Sequence, residues 1–119
     1  MADAIVLIDD LFFQSKLLET AKQTGTTLEI VATGDQLVKS AGLSPTALII
    51  VDLNARRGAL EAVEKLGANG AGNPRRVIAF LSHVQTDLAE RARSAGCQEV
   101  MPRSKFTQNL AAILRGAKP

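Results

Sequence analysis

Five times along this chain a short apolar run gives way to a segment with helical spacing, and that alternation restricts the fold more than any other feature. Residues 5–8, 28–32, 48–51, 77–81 and 99–101 read as strands, the first four almost wholly apolar. Between them Phe13, Leu17, Leu18 and Ala21 are spaced for one helix face, and Gly25 follows. Asp35 is placed to cap a helix carrying Leu37, Val38 and Ala41, with Gly42 at its end. Ala59, Val63 and Leu66 mark a third helix closed by Gly67. Leu88, Ala92 and Ala95 mark a fourth, capped by Thr86 or Asp87 and ended by Gly96. Leu110, Ile113 and Leu114 mark the last. Continuous apolar strands alternating with helices predict a parallel sheet covered on both faces. Right-handed crossovers then make it a doubly wound, three-layer α/β sandwich. The expected strand order is 2-1-3-4-5, with helices one and five on one face and two, three and four on the other.

At 119 residues, the chain is expected to be one domain, 1–119, with a core large enough to need no disulfide or metal staple. A net charge of +2 is too small to argue for nucleic acid, and the longest basic runs are the pairs Arg56-Arg57 and Arg75-Arg76. The absence of Trp and Tyr leaves few rings on which bases could stack. A single cysteine, Cys97, permits no internal disulfide and reads as a packed, inert thiol. No run is long enough to span a membrane, and the acid-bearing N-terminus is no signal peptide. These features point to a cytoplasmic protein with no direct nucleic-acid or membrane partner. The stretch "GANGAGNP", 67–74, reads as a flexible connection, because its glycines follow a helix and lack a phosphate-loop ending.

Two strands end on carboxylates. In "AIVLIDDLFF" the first runs into Asp9 and Asp10, and in "ALIIVDLNARRG" the third runs into Asp52. Doubly wound sheets bind ligands beyond the carboxyl ends of their strands. A lone acid there is most simply an N-cap or a solvated loop residue. Three acids from two strands instead make a hard, oxygen-rich site suited to Mg2+ with several retained waters.

In this order and spacing the motifs resemble those of response-regulator receiver domains, the signalling modules of two-component systems, over the whole chain. "LIDD" at 7–10 resembles the acidic pair ending the first strand of that flavodoxin-like fold. "IIVDLN" at 49–54 resembles the third strand with its phospho-accepting Asp. "FLS" at 80–82 resembles the fourth with its Ser/Thr, and "SAGCQEVMPRSKF" at 94–106 the fifth with its basic residue. The resemblance implies that Asp52 is the carboxylate nucleophile. It implies that Asp9, Asp10, Asp52 and the Asn54 carbonyl hold Mg2+, and that Ser82 bonds a phosphoryl oxygen. Arg103 would supply the cation. The implied partners are a sensor histidine kinase or phosphotransfer protein, a downstream protein, and a second copy in a weak homodimer. Catalysis beyond the domain's own phosphorylation and dephosphorylation is not expected.

The chain departs from the receiver pattern at defined places. Arg103, followed by Ser104, stands where receivers carry Lys then Pro, and an arginine is planar, bulkier and not interchangeable with lysine. Lys105 is a second candidate for that role. His83 replaces the small residue after the Ser/Thr, and reads either as a loop residue or as a gate to the pocket. Val100 replaces the usual fifth-strand aromatic, and Arg56-Arg57 stand in the loop after the acceptor. The leading expectation is a stand-alone phosphorelay receiver that signals by protein association, since no output domain follows within the 119 residues. The alternative is a degenerate receiver acting as a phosphorylation-independent interaction module, and a small flavodoxin-like ligand-binding domain is a third. The Phe12-Phe13 pair is expected in the core, with one ring able to cover the site. Arg75 and Arg76 are expected to be solvated. The expected partner surface combines the fourth helix, fifth strand and fifth helix, with Arg91 and Arg93 as its charges and Ala89, Ala92 and Ala95 allowing close approach, although some of the three must pack inward.

Overall fold

The computed structural model describes residues 2–44, 46–55, 58–69, 76–82 and 86–117, and the side chains of 67–69 lie outside that description. His83, Arg56, Arg57, Arg75 and the loop 70–74 therefore fall outside the described residues. Strands β1 (Ala4–Leu7), β2 (Leu28–Val31), β3 (Leu48–Asp52), β4 (Val77–Leu81) and β5 (Glu99–Pro102) form one parallel sheet in the order β2-β1-β3-β4-β5. This is the predicted order. The helices are α1 (Leu11–Thr24), α2 (Gly34–Leu43), α3 (Ala59–Asn69), α4 (Thr86–Ser94), α5 (Arg103–Gln108) and α6 (Leu110–Gly116).

Side chains alternate across each strand, so the sheet feeds two cores. Ile5, Leu7, Ile49, Val51 and Ala79 face one way and pack with Leu37 and Ala41 of α2, Val63 of α3 and Ala92 of α4. Val6, Ile50, Ile78 and Phe80 face the other and pack with Phe13 and Leu17 of α1, Phe106 of α5, and Leu110 and Leu114 of α6. The expected partition of helices holds, with α5 and α6 sharing the place of a single fifth helix.

Local chemistry sets the ends of these elements. Asp10 caps α1 by accepting hydrogen bonds from the Phe12 and Phe13 amides at 3.0 and 3.2 Å. Gly25 ends that helix in the left-handed region, φ 70°. Thr33, not Asp35, caps α2: its hydroxyl accepts from the Gln36 amide, while Gln36 reaches back to the Ala32 amide. That exchange is close to a capping box and leaves Asp35 in the first turn. Gly42 and Gly67 lie inside α2 and α3 rather than at their ends, and Thr86 and Asp87 are the first residues of α4. Leu18 is 44% exposed, so the buried stripe of α1 is Phe13, Leu17 and Ala21. Phe13 is buried as expected, but Phe12 is 93% exposed. Cys97 is buried, and that burial pushes its thiol up to about 11, away from the reactive thiolate.

Helix α2 lies so close to the start of α3 that a Cβ on Gly34 would collide with the Gly58 carbonyl and press on the Ala62 methyl at 3.1 Å. Gly34→Ala is expected to cost about 1–3 kcal/mol through that overlap. Gly42→Ala in the same helix meets nothing within 4 Å. It is expected to stabilise by about 0.5–1 kcal/mol, because alanine loses less backbone entropy in a helix. Urea unfolding of the two variants checks the pair. Equal effects would show that α2 and α3 can separate freely.

Candidate functional site: an acidic pocket bridged by arginine

The site follows from strand parity. Asp52 is the last residue of β3 and continues the face of Leu48 and Ile50, so its carboxylate points toward the α1/α5 side. It pairs in register with Phe80 on β4. Asp10 reaches the same end of the sheet from the start of α1. Pro102, extended with φ −61° and ψ 150°, delivers the chain from β5 directly into α5, and Arg103 is the first residue of that helix. Three segments far apart in the chain thereby meet at the carboxyl ends of β1 and β3.

Arg103 joins the two acids. Its Nη1 donates to Asp10 Oδ2 at 2.9 Å and its Nη2 to Asp52 Oδ2 at 3.3 Å. The guanidinium carbon lies 4.8 Å from the centre of the Phe13 ring and 5.6 Å from that of Phe80, within reach of cation–π attraction to both. Phe80 stacks on Phe106 at 4.5 Å, and Phe13 meets both rings edge-on. The cation is thus set between two carboxylates and an aromatic wall. Arg103 Nε is buried with no hydrogen-bond partner among the described residues. Lysine at this position would carry neither two separated donors nor a flat face for the rings.

Both Asp52 oxygens are engaged. Oδ1 accepts the Asn54 amide at 2.9 Å, and Oδ2 faces Arg103. Asp52 is only 2% exposed. Burial pushes its carboxyl above the ordinary value, with the charges of Asp9 and Asp10 adding to the rise. The Asn54 amide and Arg103 oppose it. Asp10 moves the other way: the Phe13 amide, and after it Arg103, holds its carboxyl below the ordinary value.

The remaining predicted residues are placed as follows. Asp9 is exposed beside the pocket. Ser82 follows β4, and both its amide and its hydroxyl donate to Asn54 Oδ1, at 2.6 and 3.0 Å. Asn54 therefore links Asp52 to Ser82: its amide serves one and its side chain the other. Lys105 is exposed on α5, and among the described residues the ion pairs to Asp10 and Asp52 come from Arg103. Arg76 is exposed and pairs with Glu99 across the start of β4 and β5 at 3.2 Å. Val100 packs against the α2/α3/α4 core. Arg91 and Arg93 are exposed on α4, whereas Ala92 is 0% exposed and belongs to the core, so it offers no close approach to a partner.

The pocket residues do not fit a divalent ion as they stand. Among the described residues no three acid, histidine or cysteine side chains are grouped to hold a metal. A magnesium ion shared by Asp10 and Asp52 would sit about 2.1 Å from an oxygen of each. The Arg103 amino groups already donate to one oxygen of each acid.

The aromatic floor under Arg103 was not foreseen from the sequence. Its signal was available, since Phe80 shares the parity of Ile78 and faces Asp52 across the ladder. Helix α5 was missed as well. Its Phe106 lies four, seven and eight residues before Leu110, Ile113 and Leu114, which extends their buried stripe by one turn.

The sheet order, the helix partition and the acid-tipped strands define the class: this chain has the fold of response-regulator receiver domains. The receiver domain of NtrX from Brucella abortus superposes with a TM-score of 0.77 at 13% identity, covering 96% of this chain and 96% of that one. The N-terminal domain of a response regulator/sensory box/GGDEF three-domain protein from Carboxydothermus hydrogenoformans gives 0.73 at 20% identity, with 96% and 91% covered. A co-crystal of the Saccharomyces cerevisiae histidine phosphotransfer protein Ypd1 with the receiver domain of Ssk1 gives 0.80 at 15% identity, with 93% and 84% covered. No protein-family model matches the chain, and no curated protein sequence matches it.

Proposed function

We propose that this chain is a receiver-type signalling module that works by binding another protein and does not depend on phosphoryl transfer to Asp52. The observation that carries this reading is the engagement of both Asp52 oxygens, one by the Asn54 amide and one by Arg103. A carboxylate acting as nucleophile needs a free oxygen lined up with the phosphorus, and phosphoryl transfer depends chiefly on such positioning. Ser82 adds to the case, because its hydroxyl is directed to Asn54. The module's partners in this reading are other signalling proteins, with the exposed Arg91 and Arg93 on α4 as candidate contacts.

A second reading keeps Asp52 as a phosphoryl acceptor served by a kinase or phosphotransfer protein. It is favoured by the receiver fold itself and by the likeness to a receiver solved together with a histidine phosphotransfer protein. Incubation with acetyl phosphate and Mg2+, followed by intact mass measurement, separates the two. The expected result is no gain of a phosphoryl group by the wild type. A gain that Asp52→Asn abolishes would establish the second reading.

A further inference from the structure

We infer that Arg103 is the resident cation of the acidic pocket and takes the place of the divalent metal that a receiver-type acidic cluster would otherwise bind. The inference deepens the reading above and rests on the same pocket. It differs in concerning what neutralises the acids rather than whether Asp52 is phosphorylated.

Geometry supplies the first argument. The guanidinium donates through separate nitrogens to Asp10 Oδ2 and Asp52 Oδ2, the two oxygens a bridging metal would have to share. A metal at coordination distance from both and the guanidinium cannot occupy that space together. Competition supplies the second. Mg2+ gives up its waters reluctantly, and here it would have to displace a tethered cation already held by two ion pairs and an aromatic wall. The third argument is the placing of Asp10. One of its oxygens, Oδ1, accepts the two amides at the start of α1, which leaves Oδ2 as the oxygen turned to the pocket, and Arg103 takes that one. Arginine suits the role because its two donors and flat face act at once, and it stays charged at every physiological pH.

The test compares the wild type with Arg103→Met, each with and without millimolar Mg2+, by thermal unfolding. Mn2+ broadening of the backbone amide signals of Asp9, Asp10 and Asp52 is read alongside. The expected result is no Mg2+ effect and no selective broadening in the wild type. The variant is expected to gain a few degrees in Tm with Mg2+ and to broaden selectively at those amides. Mg2+ stabilising the wild type as much as the variant would overturn the inference. So would a folded variant that also ignores both metals, because Arg103 would then not be what excludes them. Should Arg103→Met not fold, the comparison passes to Arg103→Lys, which keeps the charge but loses one donor arm and the flat face. Selective broadening is then expected in the lysine variant and not in the wild type, and the reverse pattern, or the same response in both, overturns the proposal. Phosphoryl labelling of Asp52 without any metal effect would leave this inference standing while defeating the proposed function, so the two failures are distinct.

Discussion

Arg103→Met is expected to lower the unfolding free energy by about 3 kcal/mol near neutral pH, toward the lower end of what breaking a buried ion pair costs. The lower end applies because the Arg103 side chain is 30% exposed, although that of Asp52 is only 3% exposed. Methionine fills much of the same volume against Phe13 and Phe80, so the loss comes from charge rather than from an empty space. Among the described residues, Asp52 would be left buried with the Asn54 amide as its hydrogen-bond donor and with the like charges of Asp9 and Asp10 nearby. Burial already raises its carboxyl above the ordinary value, and removing Arg103 removes a charge that opposed the rise. A carboxyl with a raised folded pKa binds more protons in the native state than in the unfolded one, so stability increases as pH falls through that folded value. The deficit of the variant relative to the wild type should therefore narrow in mildly acidic solution. Asp10 does not cancel this trend, because the largest cause of its lowered value is the Phe13 amide, which the substitution leaves in place. Urea unfolding at about pH 7 and about pH 5 reads the effect. A deficit that widens on acidification would show that Asp52 is not the group left uncompensated.

Phe106→Ala is expected to cost about 3–5 kcal/mol, the range for emptying a buried aromatic site. Phe106 is 0% exposed, stacks on Phe80 at 4.5 Å and meets Phe13 edge-on at 6.0 Å. Those ring pairs add to the loss beyond the buried area itself. The same substitution removes the support behind the wall on which Arg103 rests, so it should loosen the pocket as well as the core. Phe12→Ala is the control: its ring is 93% exposed, and its loss should change stability by less than about 0.5 kcal/mol. Denaturant midpoints with an unchanged m-value provide the measurement. Similar losses from both variants would contradict the assignment of the two rings to core and surface.

The fold was readable before any coordinates because its signals are local. Val6, Ile49, Ile50 and Ile78 sit in runs too apolar to face water on either side, and helical spacing between those runs leaves little choice but a covered parallel sheet. The same locality explains the errors. Asp35 and Thr33 are both good caps, and only the backbone entering α2 selects Thr33. Spacing alone leaves open which of Ala89, Ala92 and Ala95 packs inward, and the seating of α4 on the sheet selects Ala92 for the core. Leu18 satisfies the spacing of α1 but falls just beyond the stripe that meets the sheet.

The candidate site divides along the same line. Which acids end the strands, and that an arginine stands where a lysine is usual, are properties of the sequence alone. That Arg103 would close onto Asp10 and Asp52 is not, because those pairs join residues 93 and 51 positions apart. Their meeting depends on the register of β3 against β4, on Pro102 turning the chain straight into α5, and on Phe13 and Phe80 forming a wall at the height of the guanidinium. The parallel run of β1 and β3 put the carboxylates at one end of the sheet; only the packing of α1 and α5 against its face decided that a side chain of the protein itself would neutralise them.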